Sequence, residues 1–222
     1  MTSPTSQATV HPADHVHVAD LDACLDLINT VELDGPGGLP EDSLPKPDDA
    51  IAWLAGRSLA HEDALRAEAS PDPVAWLGRV HATRDALREV WEATVEGRSV
   101  DHRAVAILNE VLHHGTQPEL RPTLGGIAVG HRHDAGDPTA EALARLAEPL
   151  VTAIAAGDTG RFRICANDAC RWVFEDTSRG GRRRWCDMTS CGNRAKVRRF
   201  RSRRRAGDDG EGRTPAEAAD PA

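Results

Sequence analysis

The chain has no tyrosine, three phenylalanines, two methionines and only two lysines, Lys46 and Lys196, among its 27 basic residues. With 4% aromatic content, its 222 residues must build a core chiefly from Leu, Val, Ile, Ala and five Trp. No run approaches the roughly 18 consecutive apolar residues of a spanning helix, which excludes a helical membrane protein. Met1 to His11 lack a charged start followed by an apolar stretch, so the sequence predicts no secretory leader and a cytoplasmic location. A phosphate-cradling glycine loop with its lysine and a nucleophile motif are also missing, and no enzymatic role is expected.

What is present is a segregation of charge. The overall net charge of −8 would argue against a polyanionic partner. Residues 161–205, however, hold 15 basic and 4 acidic side chains, a net of +11. Residues 1–160 carry 11 basic and 26 acidic side chains, a net of −15, and the tail 206–222 stands at −4. The length suits one main core plus a small appended module.

Helical signals dominate the acidic part. Leu21, Cys24, Leu25 and Ile28 recur at helical spacing in a segment expected to run from Leu21 to Leu33. The Asp34-Gly35-Pro36-Gly37-Gly38 breakers close it, and Pro47 opens a second helix with Ile51, Trp53 and Leu54. Asp72-Pro73 caps a long helix carrying Val74, Leu77, Val80, Leu87, Val90 and Trp91, closed by Gly97. Ser99 or Asp101 caps a segment with Val105, Leu108, Val111 and Leu112. Asp137-Pro138 opens a last one with Leu143, Leu146, Leu150, Val151 and Ile154, which Pro149 is expected to kink or split. Between these, Gly125-Gly126 separates two short alternating runs and predicts a hairpin. Asp26, Asn29 and Thr30 fit either a helix end or the lining of a polar pocket.

The fold class expected is mostly α (α+β): a helical domain with a small β-hairpin, then a small four-cysteine module of a hairpin plus a C-terminal basic helix. Its boundaries are a disordered start at 1–13, the helical domain at 14–158, the module at 159–205 and a disordered acidic tail at 206–222.

Four of the five cysteines fall within 27 residues, as Cys165-x4-Cys170 and Cys186-x4-Cys191. Each pair can converge as a knuckle on one ion, and the 15-residue spacer lets the pairs meet. Four thiolates suit a closed structural Zn2+ site; an iron–sulfur cluster, a disulfide or free thiols are the alternatives. Only nine large apolar residues lie between Arg161 and Arg205, too few to fold some 45 residues, so metal must substitute for core. Phe162 and Ile164, and Trp172 and Phe174, alternate as a hairpin, and a helix begins near Thr189 with the second cysteine pair at its start. Cys24 sits among Leu21, Leu25 and Ile28 and reads as a core thiol. His15 with His17 and His131 with His133 lack a third partner for a metal.

The stretch Cys165-x4-Cys170-Arg171-Trp172-Val173-Phe174-x-Asp176-x-Ser178, followed by Arg183-Arg184-Trp185-Cys186-Asp187-Met188-x2-Cys191-Gly192-Asn193-Arg194-Ala195-Lys196, resembles the CGNR zinc-finger family over about 161–200. Asp187 stands where that family commonly has a small residue. Leu25-Asp26-Leu27-Ile28-Asn29-Thr30 and Ala52-Trp53-Leu54 are similar to the Ala-rich domain that usually precedes this finger, often described as a stress-induced transcription regulator. The resemblance implies zinc bound by Cys165, Cys170, Cys186 and Cys191, with DNA binding.

The charge supports a nucleic-acid partner independently. Arg182, Arg183 and Arg184 precede the second knuckle. On a helix from Cys191 to Arg205, Arg194, Arg198, Arg201 and Arg205 share one face, with Lys196 nearby and Val197 and Phe200 free to pack on the finger. Guanidinium forks suit phosphates and guanine edges. The expected function is a zinc-binding, DNA-binding transcriptional regulator in which the acidic domain senses or modulates and contacts the basic finger in cis. The alternative is an RNA-binding or protein-interaction module.

Overall fold

The computed structural model describes residues 20–33, 40–115, 117–123, 126–132 and 136–208. Residues 20–31 and 42–160 form one compact unit; residues 161–208, with 32–33 and 40–41, form a second. The expected disordered segment 1–13, residues 209–222 of the tail expected to be disordered from 206, and the side chains of His15, His17, His131 and His133 lie outside the described residues; residues 206–208 instead continue the last helix, which runs to Asp208.

The first unit is helical, as its periodicity predicts: α1 (Leu21–Ile28), α2 (Pro47–Gly56), α3 (Glu62–Ala69), α4 (Pro73–Glu96), α5 (His102–His113) and α6 (Pro138–Ala156). The two-residue strands β1 (Val31–Glu32) and β2 (Glu41–Asp42) pair between α1 and α2. Acidic caps set the helix starts: the carboxylates of Asp20, Asp72, Asp101 and Asp137 accept first-turn N–H groups of α1, α4, α5 and α6. Proline opens α2, α4 and α6, where the absent N–H costs nothing. Gly97 and Gly157, with φ of +64° and +76°, close α4 and α6 in the left-handed conformation that glycine alone adopts without strain.

α4 is the axis of this unit and packs against α1, α2, α3, α5 and α6. Its Trp76, Val80, Leu87 and Trp91 are buried with Leu27 and Ile28 of α1, Leu54 of α2, Leu65 of α3 and Leu143, Leu146 and Leu150 of α6. Arg79 bridges Glu68 at 2.7 Å and Asp137 at 2.6 Å, while Trp76 Nε1 donates to Thr139 Oγ1 at 2.8 Å, so polar contacts tie α3, α4 and α6 together. Between α5 and α6 the expected hairpin forms: β3 (Gln117–Thr123) pairs antiparallel with β4 (Gly126–Arg132), Leu120 opposite Val129.

Several expectations are corrected. α1 stops at Ile28 rather than continuing to Leu33, because its last carbonyls are taken: Thr30 Oγ1 donates to Leu27 O at 2.8 Å and the Arg88 guanidinium to Ile28 O at 2.9 Å. Asn29 and Thr30 thus form a helix end, and Asp26 pairs with Arg57 at 3.1 Å. Pro149 does not split α6, whose flanking residues Leu146, Ala147 and Leu150 are all buried. Val74, Val105, Val151 and Ile154 continue the apolar periods yet are exposed; Val105 and Val151 lie directly beside buried Ala104 and Leu150, at the edge of the packed face. Cys24 is fully buried, as expected, and burial pushes its thiol up to about 12.

The second unit holds the hairpin β5 (Phe162–Ile164) and β6 (Val173–Glu175), with Phe162 opposite Glu175 and Ile164 opposite Val173. A π-helical turn, Met188–Gly192, leads into α7 (Asn193–Asp208).

Candidate metal centre and basic helix

The hairpin brings the first knuckle to the second. Cys165 N–H donates to Trp172 O and Ala166 N–H to Arg184 O, each at 2.8 Å, so the chain before the second knuckle lies along the first. Cys170 N–H and Arg171 N–H close a turn on Asn167 O, at 2.8 and 3.0 Å. Arg171 accepts a φ of +48° to leave that turn.

The sulfurs of Cys165, Cys170, Cys186 and Cys191 all lie within 4.8 Å of one another. Cys170 Sγ and Cys186 Sγ are 3.7 Å apart, and Cys186 Sγ and Cys191 Sγ are 3.8 Å apart. A tetrahedron of zinc–sulfur bonds of about 2.3 Å has edges of about 3.8 Å, so the four thiols fit one tetrahedral ion. The separations are far beyond the roughly 2.05 Å of a disulfide. A cluster of several irons would hold its ligand sulfurs farther apart than one shared ion does. The donor set therefore favours zinc among the expected alternatives. Burial, reinforced by the neighbouring cysteines, pushes the Cys170 thiol up to about 12 and raises Cys186 as well. Burial acts the same way on Cys191, but hydrogen bonds from Cys170 and Asn167 outweigh it and hold that thiol below its ordinary value. Four thiolates this close would repel one another, so without an ion the thiols hold their protons, and a metal binding here would displace them.

Around the cysteines the apolar packing is thin: Phe174 with half-buried Trp172 and Trp185. Polar groups complete it. Asp176 is fully buried; its carboxylate accepts from Ser178 N–H and hydroxyl and from Arg183 N–H at 2.7 Å. The Ser178 hydroxyl chiefly holds that carboxyl below the usual range, against the effect of burial. Arg161 Nη1 donates to Asp176 O and Ser178 O, and Arg163 Nη2 to Gly181 O at 2.9 Å, so two basic residues are engaged in fastening the 176–183 loop.

The Cys-Gly-Asn-Arg run has a physical reading at each position. Cys191 supplies one of the four converging sulfurs at the foot of α7. Gly192 lies beneath Met188 and Trp185; a Cβ there would meet the Met188 sulfur at 2.9 Å and Trp185 Cδ1 at 3.4 Å. Asn193 Nδ2 donates to Thr189 O at 2.9 Å and stitches α7 to the preceding turn. Arg194 is exposed on α7. Asp187, the departure from a small residue, caps this turn: its carboxylate accepts from Thr189 Oγ1 at 2.6 Å and Ser190 N–H at 2.7 Å, and these bonds lower its pKa.

The basic residues singled out in the sequence divide into two groups. Arg183 is turned inward, stacked 4.9 Å over Phe174 and donating to Cys186 O. Arg184 lies 5.3 Å over the Trp185 ring, and Arg182 is exposed on the loop. Arg194, Lys196, Arg198 and Arg201 are exposed on α7; Arg194, Arg198 and Arg201 line one hollow with Thr189, Ser190, Asn193 and Val197. Arg205 lies on the same helix, its side chain outside the described residues. Val197 and Phe200, expected to pack on the finger, are instead 48% and 62% exposed. Asn167 and Asp176 are the site residues that spacing alone missed; the Asn two residues after Cys165 and the Asp-x-Ser after β6 were the available signals.

Fold and site together define a helical protein carrying a four-cysteine finger of metal-binding type. The family model of the CGNR zinc finger matches residues 161–204, and that of ABATE, described as "Putative stress-induced transcription regulator", matches residues 21–157. The chain belongs to the ABATE family and carries a CGNR zinc finger. No curated protein matches it.

Proposed function

We propose that this protein is a zinc-dependent DNA-binding transcription regulator of the cytoplasm, in which one structural zinc on Cys165, Cys170, Cys186 and Cys191 orders α7 as the nucleic-acid contact. The observation that carries the reading is the position of Cys191: a thiol of the four-sulfur cluster stands directly before a helix that exposes Arg194, Lys196, Arg198 and Arg201. With four thiolates filling a tetrahedral ion, no position remains for a reactive water, and the reading is of a regulator rather than an enzyme. DNA is favoured over single-stranded RNA because Trp172 and Trp185, the aromatics a splayed base would stack on, are half-buried against the cysteines. The helical domain, net −15, screens the +11 finger in cis until an effector or stress-linked signal releases it.

Mobility shifts of the zinc-loaded protein on duplex DNA over a range of salt test this reading. Engagement of about six phosphates gives a slope of log affinity against log salt near −5. A slope near zero, or displacement of the DNA by equimolar single-stranded RNA at equal salt, overturns it. The screening step requires a 158–205 fragment to bind DNA more tightly than the full chain; equal or weaker binding refutes it.

A further inference from the structure

Asn167 is 2% exposed and its side chain joins two parts of the finger that are distant in sequence. Its Nδ2 donates to Cys191 Sγ, at 3.7 Å, and its Oδ1 accepts from Arg198 Nη2, at 2.8 Å. The orientation of the amide follows from its neighbours: a flipped amide would set N–H against guanidinium N–H and oxygen against sulfur. Its backbone carbonyl closes the first knuckle on Cys170 and Arg171. One residue of the first knuckle thus touches a ligand of the second and a side chain of the helix beyond it.

That helix needs such a support. α7 spans 16 residues, about 24 Å, and Val197 and Phe200 are 48% and 62% exposed on it, so burial of these two side chains does little to fix its direction. Asn193 stitches its first residue to the preceding turn, and Arg198, more than one turn further on, reaches back to the finger.

We propose that Asn167 is a positioning residue that couples metal loading to the direction of α7, with Arg198 as its strut rather than a phosphate contact. A metal-bound Cys191 thiolate orients the Asn167 amide, the amide oxygen holds Arg198, and Arg198 holds the helix so that Arg194 and Arg201 face the nucleic acid. The last step rests on the DNA-binding reading above; the link from metal to helix does not.

The test uses the full-length zinc-loaded protein with Asn167→Ala, Arg198→Ala, the double variant and Arg201→Ala. Amide hydrogen exchange of α7 is measured first, without DNA. Asn167→Ala and Arg198→Ala should each speed exchange in α7, with no further increase in the double variant, whereas Arg201→Ala should leave it unchanged. Competition with a chromophoric chelator should show Asn167→Ala weakening zinc about tenfold, as outer-shell partners of metal ligands do. On DNA, Arg201→Ala should reduce the salt slope by about 0.9, while Arg198→Ala lowers affinity with the slope kept. Because Arg198→Ala leaves both knuckles intact, it decides the matter even if Asn167→Ala fails to fold. Unchanged exchange in Arg198→Ala overturns the strut, as does a loss of slope equal to that of Arg201→Ala. If the parent protein binds no DNA, the regulator reading fails, and the exchange experiment still decides the coupling.

Discussion

The helical domain and the finger solve the same problem with different means. The first buries Trp91, Leu27, Leu54, Leu87, Leu143, Leu146 and Leu150 completely and is held by apolar area. The finger buries Phe162 and Val173 to that degree, and otherwise relies on four converging thiols and on two buried polar side chains, Asp176 and Asn167. A domain held by area tolerates the loss of any one contact. On the proposed zinc reading, a domain held by one ion and a few hydrogen bonds should switch as a unit, and the helix bearing the basic residues is attached to that domain.

The largest effect expected from this contrast is that of metal. Structural zinc contributes on the order of 10–16 kcal/mol of apparent binding energy in small modules. A strong chelator should therefore unfold the finger, seen as collapse of amide protection over 161–208, while protection in α4 and α6 persists; loss of both together would break the contrast. Cys186→Ser should reproduce this without chelator.

Next in size is a core truncation in the helical domain. Leu143→Ala should cost about 2–5 kcal/mol in chemical denaturation, because a 1%-exposed Leu leaves a cavity, with zinc affinity unaltered. A change in zinc affinity would show that the finger borrows stability from this core.

A smaller effect is expected at Asp42. Arg84, whose side chain is 5% exposed, donates to Asp42 Oδ1 at 2.8 Å and also reaches Thr30 Oγ1 at 3.2 Å. Removing the carboxylate in Asp42→Ala leaves the guanidinium with the Thr30 hydroxyl and the longer, 3.3 Å contact to the exposed Asp85 carboxylate, at a cost of about 1–2 kcal/mol. Burial acts to raise the Asp42 pKa, but the hydrogen bond from Arg84 and the Leu44 N–H outweigh it and hold the carboxyl below its ordinary value. The folded state therefore binds this proton less readily than the unfolded chain. Its contribution is complete above about pH 4 and is lost as the pH falls through the depressed value. Denaturation curves between pH 6 and pH 3 should show a shallower acid loss in Asp42→Ala than in the parent.

The smallest effect is the sharpest contrast. Val197→Ala and Phe200→Ala, apolar truncations like Leu143→Ala, should change stability by no more than about 0.5 kcal/mol because both side chains are exposed. A cost above about 2 kcal/mol, the scale of a buried truncation, would mean that α7 packs on a body after all.

The same contrast explains what was legible in the residues. Helices with acidic caps, an opening proline and a closing glycine, such as α4 and α6, could be placed because each signal is local. α3 escaped because its buried stripe is only Leu65 and Ala69 within a charged stretch. The four converging cysteines were legible because each knuckle is a short repeat of one residue type. Asn167 and Asp176 were not, since their roles exist only after Cys191, Arg198, Ser178 and Arg183 have been brought to them. Val197 and Phe200 proved more exposed than expected for a related reason: helical periodicity identifies a face but not how far it is covered.

The most direct test is a zinc titration of the metal-free, full-length protein, following the anisotropy of a labelled DNA duplex together with α7 amide protection. Binding and protection should appear together and saturate at one zinc per chain. Duplex binding of equal strength before any zinc is added would contradict the claim that the four cysteines order the helix that binds.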